Sequence, residues 1–296
     1  MRVVRTVAQL REALEYMRQG GHTPIGFVPT MGYLHEGHAS LLRRAGEMSS
    51  TVVMSIFVNP LQFGPNEDFA SYPRDEVRDL ELAEREGADI VFIPSVEEMY
   101  PQPIRTKVSV SSLTTQLCGA SRPGHFDGVT TVVSKLFNIV QPDYAFFGLK
   151  DAQQVAVLRR MVSDLNMNVE IIACPIVREN DGLALSSRNV YLSAQERSQA
   201  LVLSRSLQSV RQAMEEGKVR TVDDARNLLV SVISSSPLAV IDYAEILTFP
   251  ELETLDGSSL LTDADGEIIM ALAVKFGRTR LIDNNVFIPK EAHALV

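Results

Sequence analysis

Two histidines stand three residues apart in His35-Glu36-Gly37-His38, within residues 23–42, which read TPIGFVPTMGYLHEGHASLL. Imidazole N–H groups in such a turn can follow charge as it develops on phosphate oxygens. Gly32 and Gly37 let a phosphate chain approach the backbone closely. A strand-to-helix turn also offers free backbone N–H groups and the positive end of the helix dipole. Zinc is a competing reading. A helical zinc pair has its histidines four apart, as in His-Glu-x-x-His; here the first falls in the turn, and no Cys or carboxylate cluster follows to complete a shell. Ordinary capping and packing histidines are the plainer alternative.

Other turns carry chemistry-bearing side chains. Residues 59–68 read NPLQFGPNED. Asn59 and Gln62 can orient hydroxyl or carboxylate groups without changing charge, and beside two prolines they serve equally well as turn residues. In CGASRPGHFDGV, residues 118–129, Arg122 and His125 can face a phosphate or pin the loop. Lys150, in the exit turn Gly148-Leu149-Lys150-Asp151, is either a mobile point charge for phosphate oxygens or a solvated surface charge. Asp151 near a helix start can be a cap. Ser186-Ser187-Arg188 combines hydroxyls with a fork-shaped cation that suits phosphate; it also fits a helix cap and a surface Arg.

These residues need strands and helices to hold them. Periodicity predicts helices over 7–19, 38–48, 75–86, 129–140 and 152–165, and short apolar strands over 23–28, 51–58, 90–93, 144–147 and 169–172. Thr6 caps the first helix and Gly20-Gly21 stops it. In 75–86, Val77, Leu80 and Ala83 are expected to face inward. Ser95-Val96-Glu97-Glu98 reads as a capping box, and 105–110 as an edge strand. Strands alternating with amphipathic helices imply a Rossmann-like α/β fold, a parallel sheet with helices on both faces. Ligands then bind beyond the carboxyl ends of the strands, which puts the 29–38 turn and the 59–67 loop on one rim. Past Asn189 the texture changes to one long helix over 193–216, a second over 221–234, and strands over 241–247 and 268–276. The expected division is a Rossmann-like domain over 1–177, which the family resemblance given below implies as the nucleotide- and substrate-binding one, and a smaller α+β lid domain over 178–296.

Neither G-x-G-x-x-G nor G-x-x-x-x-G-K-[ST] occurs, so dinucleotide and Walker-type phosphate binding lack sequence support. The net charge of −9 argues against a general nucleic-acid surface. Cys118 and Cys174 form no C-x-x-C and read as reduced thiols. No signal peptide or bilayer-spanning run is apparent, so the cytoplasm is expected.

A family resemblance adds to this. PTMGYLHEGH resembles the His-x-Gly-His signature of the nucleotidyltransferase superfamily, and the whole phrase looks like the pantothenate synthetases, the pantoate–β-alanine ligases. SIFVNPLQF, SRPGHFDGV, FFGLKDAQQ and GLALSSRN follow in the family's order. The resemblance implies that ATP activates pantoate as pantoyl adenylate with release of pyrophosphate, and that β-alanine then displaces AMP to give pantothenate. It implies His38 as the key catalytic residue, with His35, Lys150 and Arg188. It implies ATP contacts from Met31, Gly32, Tyr33, Leu34, His35, Glu36, Gly37 and His38, from Gly148, Leu149, Lys150 and Asp151, and from Val177. Leu185, Ser186, Ser187 and Arg188 form the implied second ATP signature. Gln62, Gln154 and Asn59 are the implied contacts to pantoate and β-alanine. The family's pattern carries Glu where this chain has Leu149, which leaves that position its backbone for ATP. Mg²⁺ and a homodimer are implied as well. The rival readings are an adenylyltransferase acting on a phosphate, which would keep AMP in its product, and a non-catalytic nucleotide-binding regulator, which would release no pyrophosphate.

Overall fold

A computed structural model describes residues 1–65 and 67–289. The chain begins with β1 (Arg2–Val4), α1 (Val7–Gln19), β2 (Ile25–Thr30), α2 (Glu36–Met48) and β3 (Thr51–Ile56). Next come α3 (Glu76–Arg85), β4 (Ile90–Phe92), α4 (Val96–Met99), α5 (Cys118–Ser121), α6 (His125–Val140) and β5 (Tyr144–Gly148). α7 (Ala152–Asp164) and β6 (Glu170–Cys174) follow, then α8 (Ala194–Ala200), α9 (Val202–Glu215) and α10 (Val222–Ser234). β7 (Ala239–Phe249), β8 (Glu267–Phe276) and β9 (Thr279–Phe287) complete the described chain.

Contacts divide the chain into two compact units. The first comprises Met1–Thr114, Arg122–Leu149 and Val157–Val177. It holds a six-stranded parallel sheet in the order β1-β4-β3-β2-β5-β6. Helices cover both faces. Val28, Val52, Met54, Val91 and Phe146 pack with Leu41, Leu42 and Ala45 of α2, whereas Phe27, one residue along β2, meets Phe137 of α6 edge-on at 6.4 Å. Each such buried leucine contributes about 1.5–3 kcal/mol. β2 has β3 on one side and β5, far later in sequence, on the other. The order therefore reverses between β2 and β5, and the crevice lies at their carboxyl ends.

The second unit comprises Thr115–Ser121, Lys150–Ala156 and the chain from Arg178 onward. It contains the antiparallel sheet β7-β8-β9. Its core joins Leu203, Leu207 and Val210 of α9, Leu229 and Ile233 of α10, and Met270, Leu272 and Val274 of β8.

Four expectations change. Residues 105–110 form no strand. Val108 is tied instead by side chains of α6: its N–H donates to Thr131 Oγ1 at 3.0 Å and its carbonyl accepts from Thr130 Oγ1 at 2.6 Å. α6 starts at His125 rather than 129, behind Gly124 at φ +82°. The helix expected over 193–216 breaks at Leu201, where the Ser204 and Ser206 hydroxyls bond back to the Leu201 and Leu203 carbonyls and compete with the helical N–H groups. α3 keeps Ala83 buried and Leu80 half-buried against the core as expected, but not Val77. Val77 is 70% exposed, while Asp79 is 1% exposed. β9 is additional; its central Asp283-Asn284-Asn285 conceals a strand pattern. Cys118 and Cys174 are buried free thiols.

Candidate active site

Within the first unit, the carboxyl ends of β2 and β3 lie side by side, with Thr30 opposite Ile56. Beyond Thr30 the chain turns through Gly32 at φ +83° and Tyr33 at φ +52°. A Cβ on Gly32 would come within 2.9 Å of Asp79 Oδ2, so both the backbone angle and the space require glycine. The N–H groups of Tyr33 and Leu34 donate to the Asp79 carboxylate at 2.7 and 2.6 Å. The sequence offers those N–H groups to a phosphate; in the structure they hold the chain's own carboxylate. Burial raises the Asp79 carboxyl above its usual range, partly offset by the two N–H donors and by Arg78.

α2 starts at Glu36, two residues earlier than its apolar stripe suggests, because His35 and His38 form a reciprocal cap. His35 Nδ1 accepts from the Gly37 N–H at 3.1 Å, and His38 Nδ1 accepts from the His35 N–H at 3.2 Å. A nitrogen that accepts carries no proton, so each neutral ring holds its hydrogen on Nε2. Capping and chemistry are therefore compatible: one nitrogen of each ring serves the helix, and the other is an N–H donor. The rings lie 4.1 Å apart between centroids. Gly37 has its own reason to be glycine, since a Cβ there would press on the His35 ring at 2.9 Å. The Glu36 carboxylate pairs with Arg43.

A 3-10 turn over Pro60–Gln62 follows β3. Asn59 is 1% exposed and has its amide filled. It receives Leu61 N–H and the Tyr100 hydroxyl on Oδ1, and donates from Nδ2 to Gln62 Oε1 at 3.2 Å and the Gly128 carbonyl at 3.1 Å. Asn59 thus steers Gln62, whose Nε2 sits 3.0 Å from Met31 Sδ. Arg122 and His125 pin this loop. Arg122 grips Glu67 with two bonds of 2.7 and 2.6 Å, and His125 Nδ1 lies 2.8 Å from the Gln62 carbonyl. Burial pushes the Glu67 carboxyl up, but Arg122 outweighs it and holds the group below its usual range. Gly128 brings the start of α6 onto the same turn: a Cβ there would overlap the Leu61 carbonyl and lie 2.6 Å from Gln62 Cα. Gly128→Ala is therefore expected to cost about 1–3 kcal/mol by overpacking. Thermal unfolding checks this; an unchanged Tm would show that the two backbones separate without cost.

Gly148 and Leu149 reach the same rim at the end of β5, and Lys150 is the next residue. Within the second unit, Lys150 Nζ is 3.4 Å from Asp151 Oδ2. Its carbonyl accepts from Asn284 Nδ2 at 3.0 Å. The neighbouring Asp283 is 2% exposed and holds Arg178 in a two-point pair of 2.6 and 2.8 Å. Arg178 bridges Ala184 across a short hairpin that leads to Leu185 and Ser186. Ser186 Oγ caps the 3-10 turn Ser187–Tyr191 by accepting from the Arg188 N–H at 3.3 Å. Ser187 is buried; Val177 and Arg188 are half-buried. Gln153 is buried, and its amide joins the Cys118 N–H to the Gln116 carbonyl. Gln154, one residue on, is half-buried. Asp283 and Asn284 went unnoticed in the sequence, as did Asp79.

The comparisons with known proteins bear on this arrangement. The family model for pantoate-beta-alanine ligase matches residues 2–286. A pantothenate synthetase of Pelotomaculum thermopropionicum is 57% identical over 97% of this chain and 99% of its own length. The chain belongs to the pantoate–β-alanine ligase family. The Acetivibrio thermocellus pantothenate synthetase is 55% identical over 96% of this chain and 98% of its own length. A crystal structure of the Thermus thermophilus pantothenate synthetase superposes with a TM-score of 0.89 at 47% identity, covering 96% of this chain and 99% of that one. A Francisella tularensis pantoate-beta-alanine ligase, solved in complex with beta-gamma ATP and β-alanine, has a TM-score of 0.78 at 32% identity, with 98% of each chain covered.

Proposed function

We propose that this ligase joins pantoate to β-alanine with ATP as the activating substrate. The pantoate carboxylate attacks the α-phosphorus, and the bond from that phosphorus to the bridging oxygen breaks, giving pantoyl adenylate and pyrophosphate. The β-alanine amine then attacks the acyl carbon, AMP leaves, and pantothenate is formed. A carboxylate is already ionised at neutral pH, so the first step needs alignment and charge stabilisation more than a base. His35 and His38 supply Nε2–H donors to phosphate oxygens, and His38 is the leading catalytic residue. Lys150 and Arg188 neutralise the triphosphate, with Ser186, Ser187 and the backbone of Leu149 as further ATP contacts. Gln62 and Gln154 orient pantoate, and Asn59 holds Gln62. The smaller domain from residue 178 acts as a lid that keeps water from the adenylate.

Among the described residues no three His, Cys, Asp or Glu side chains gather to hold a metal. Magnesium would enter as the counter-ion of the triphosphate, which is how Mg²⁺ commonly reaches phosphate-transfer sites. Among the described residues no helix is long and apolar enough to cross a membrane; a cytoplasmic homodimer completes the reading.

The observation that supports this most is the reciprocal histidine cap, in which each Nδ1 accepts a backbone N–H and the proton of each neutral ring is left on Nε2. The test is an assay with pantoate, β-alanine, ATP and Mg²⁺. Equal amounts of pantothenate, AMP and pyrophosphate are expected, with pyrophosphate formed from pantoate and ATP alone. Release of ADP and phosphate, or turnover indifferent to pantoate, would overturn it.

A further inference from the structure

Asp79 takes no part in the chemistry proposed above, yet it is a buried carboxylate aimed at the turn that carries the histidines. Its two oxygens receive the N–H groups of Tyr33 and Leu34. Those N–H groups belong to a turn in which Gly32 and Tyr33 both have positive φ, and successive backbone N–H groups in a turn can form a concavity for an anion. Tyr33 is not a glycine, so this backbone shape needs an outside support. Arg78, on the same helix, adds two more restraints. Its guanidinium donates to the Leu34 carbonyl at 3.2 Å and lies over the Tyr33 ring at 5.0 Å. Leu34 is therefore clamped at both backbone polar groups by adjacent residues of α3.

The next backbone N–H after Leu34 is that of His35, and it is this group that His38 Nδ1 accepts. We infer that Asp79 is a positioning residue for adenylate formation, holding the left-handed turn so that the His35 N–H fixes the tautomer and direction of His38. This rests on the assignment of His38 to the phosphate-facing role. An Asn at 79 offers one acceptor and one N–H₂ donor, so one of the two backbone donors would face another donor. The same shape would remain with half its hydrogen bonding gone.

The test uses the full-length protein with Asp79→Asn, Arg78→Met and His38→Ala. Two readouts are taken: pantoate-dependent pyrophosphate release, and the ring ¹⁵N shifts of His38, which report the tautomer without any turnover. Asp79→Asn is expected to retain a cooperative melt, to slow pyrophosphate release by about tenfold or more, and to convert His38 from the single Nε2–H tautomer to a mixture. A wild-type rate, or a slower rate with the tautomer unchanged, overturns the inference, since a merely structural role would leave folded molecules with the same ring. Should Asp79→Asn not fold, Arg78→Met loosens the same turn from its exposed side, with a loss of about threefold and the same spectral change expected; wild-type values in both readouts overturn it. If His38→Ala turns over normally, the phosphate-facing role falls instead. The tautomer result for Asp79→Asn then still stands apart from that failure.

Discussion

His38→Ala should reduce pantoate-dependent pyrophosphate release by about 10²–10³-fold, the loss typical of removing one donor that stabilises developing charge. Two things disappear with the ring. The Nε2–H donor is lost, and the His35 N–H loses its acceptor. The second loss is a cap, which costs about 0.5–2 kcal/mol of stability. The two effects separate in measurement. His38→Asn places an acceptor near the His35 N–H but restores no imidazole N–H, so it should recover stability more than rate. Pyrophosphate release and thermal unfolding of both variants check this. Turnover of His38→Ala within a factor of about two of wild type would remove the histidine from the mechanism.

Lys150→Ala should lose about 10²-fold or more in kcat/KM for ATP while the protein unfolds at nearly the same temperature. The expectation of an intact fold comes from the backbone, not the side chain. Asn284 holds the Lys150 carbonyl, and the adjacent Asp283 is fixed by Arg178. Neither contact involves Nζ. Lys150→Arg retains charge but presents a planar fork in place of a compact ammonium, so it should restore only part of the rate. A Lys150→Ala enzyme with unaltered kcat/KM for ATP would return the residue to the surface charges.

Much of the parallel sheet was readable because its strands are short, apolar and separated by helices of regular period. Residues 51–56 are buried along almost their whole length, which leaves periodicity little to confuse. α3 shows where that reasoning fails. A stripe drawn through Val77, Leu80 and Ala83 holds at Ala83 and fails at Val77, where a carboxylate two residues on is the inward group; the distant Tyr33 and Leu34 N–H donors make Asp79 acceptable there. β9 was hidden for a related reason. Asp283 and Asn284 are depleted in strands as a class, but here they are buried against Arg178 and Lys150. Residues 105–110 erred the other way: alternation suggested a strand, yet the acceptor and donor of Val108 are met by threonine hydroxyls. Of the candidate side chains, Arg122 and His125 carry two readings in sequence, and the Arg122–Glu67 ion pair and the His125 contact to the Gln62 carbonyl support the loop-pinning one.

The strand order has a consequence for biosynthesis. β2, which launches the histidine turn, pairs with β3 at once but waits for Tyr144–Gly148 to cover its other side. During synthesis the first hundred or so residues therefore present Ile25–Thr30 as an uncovered, apolar edge, the kind of surface that recruits other nascent strands. A chain cut short before β5 should consequently precipitate rather than persist as a soluble half-sheet.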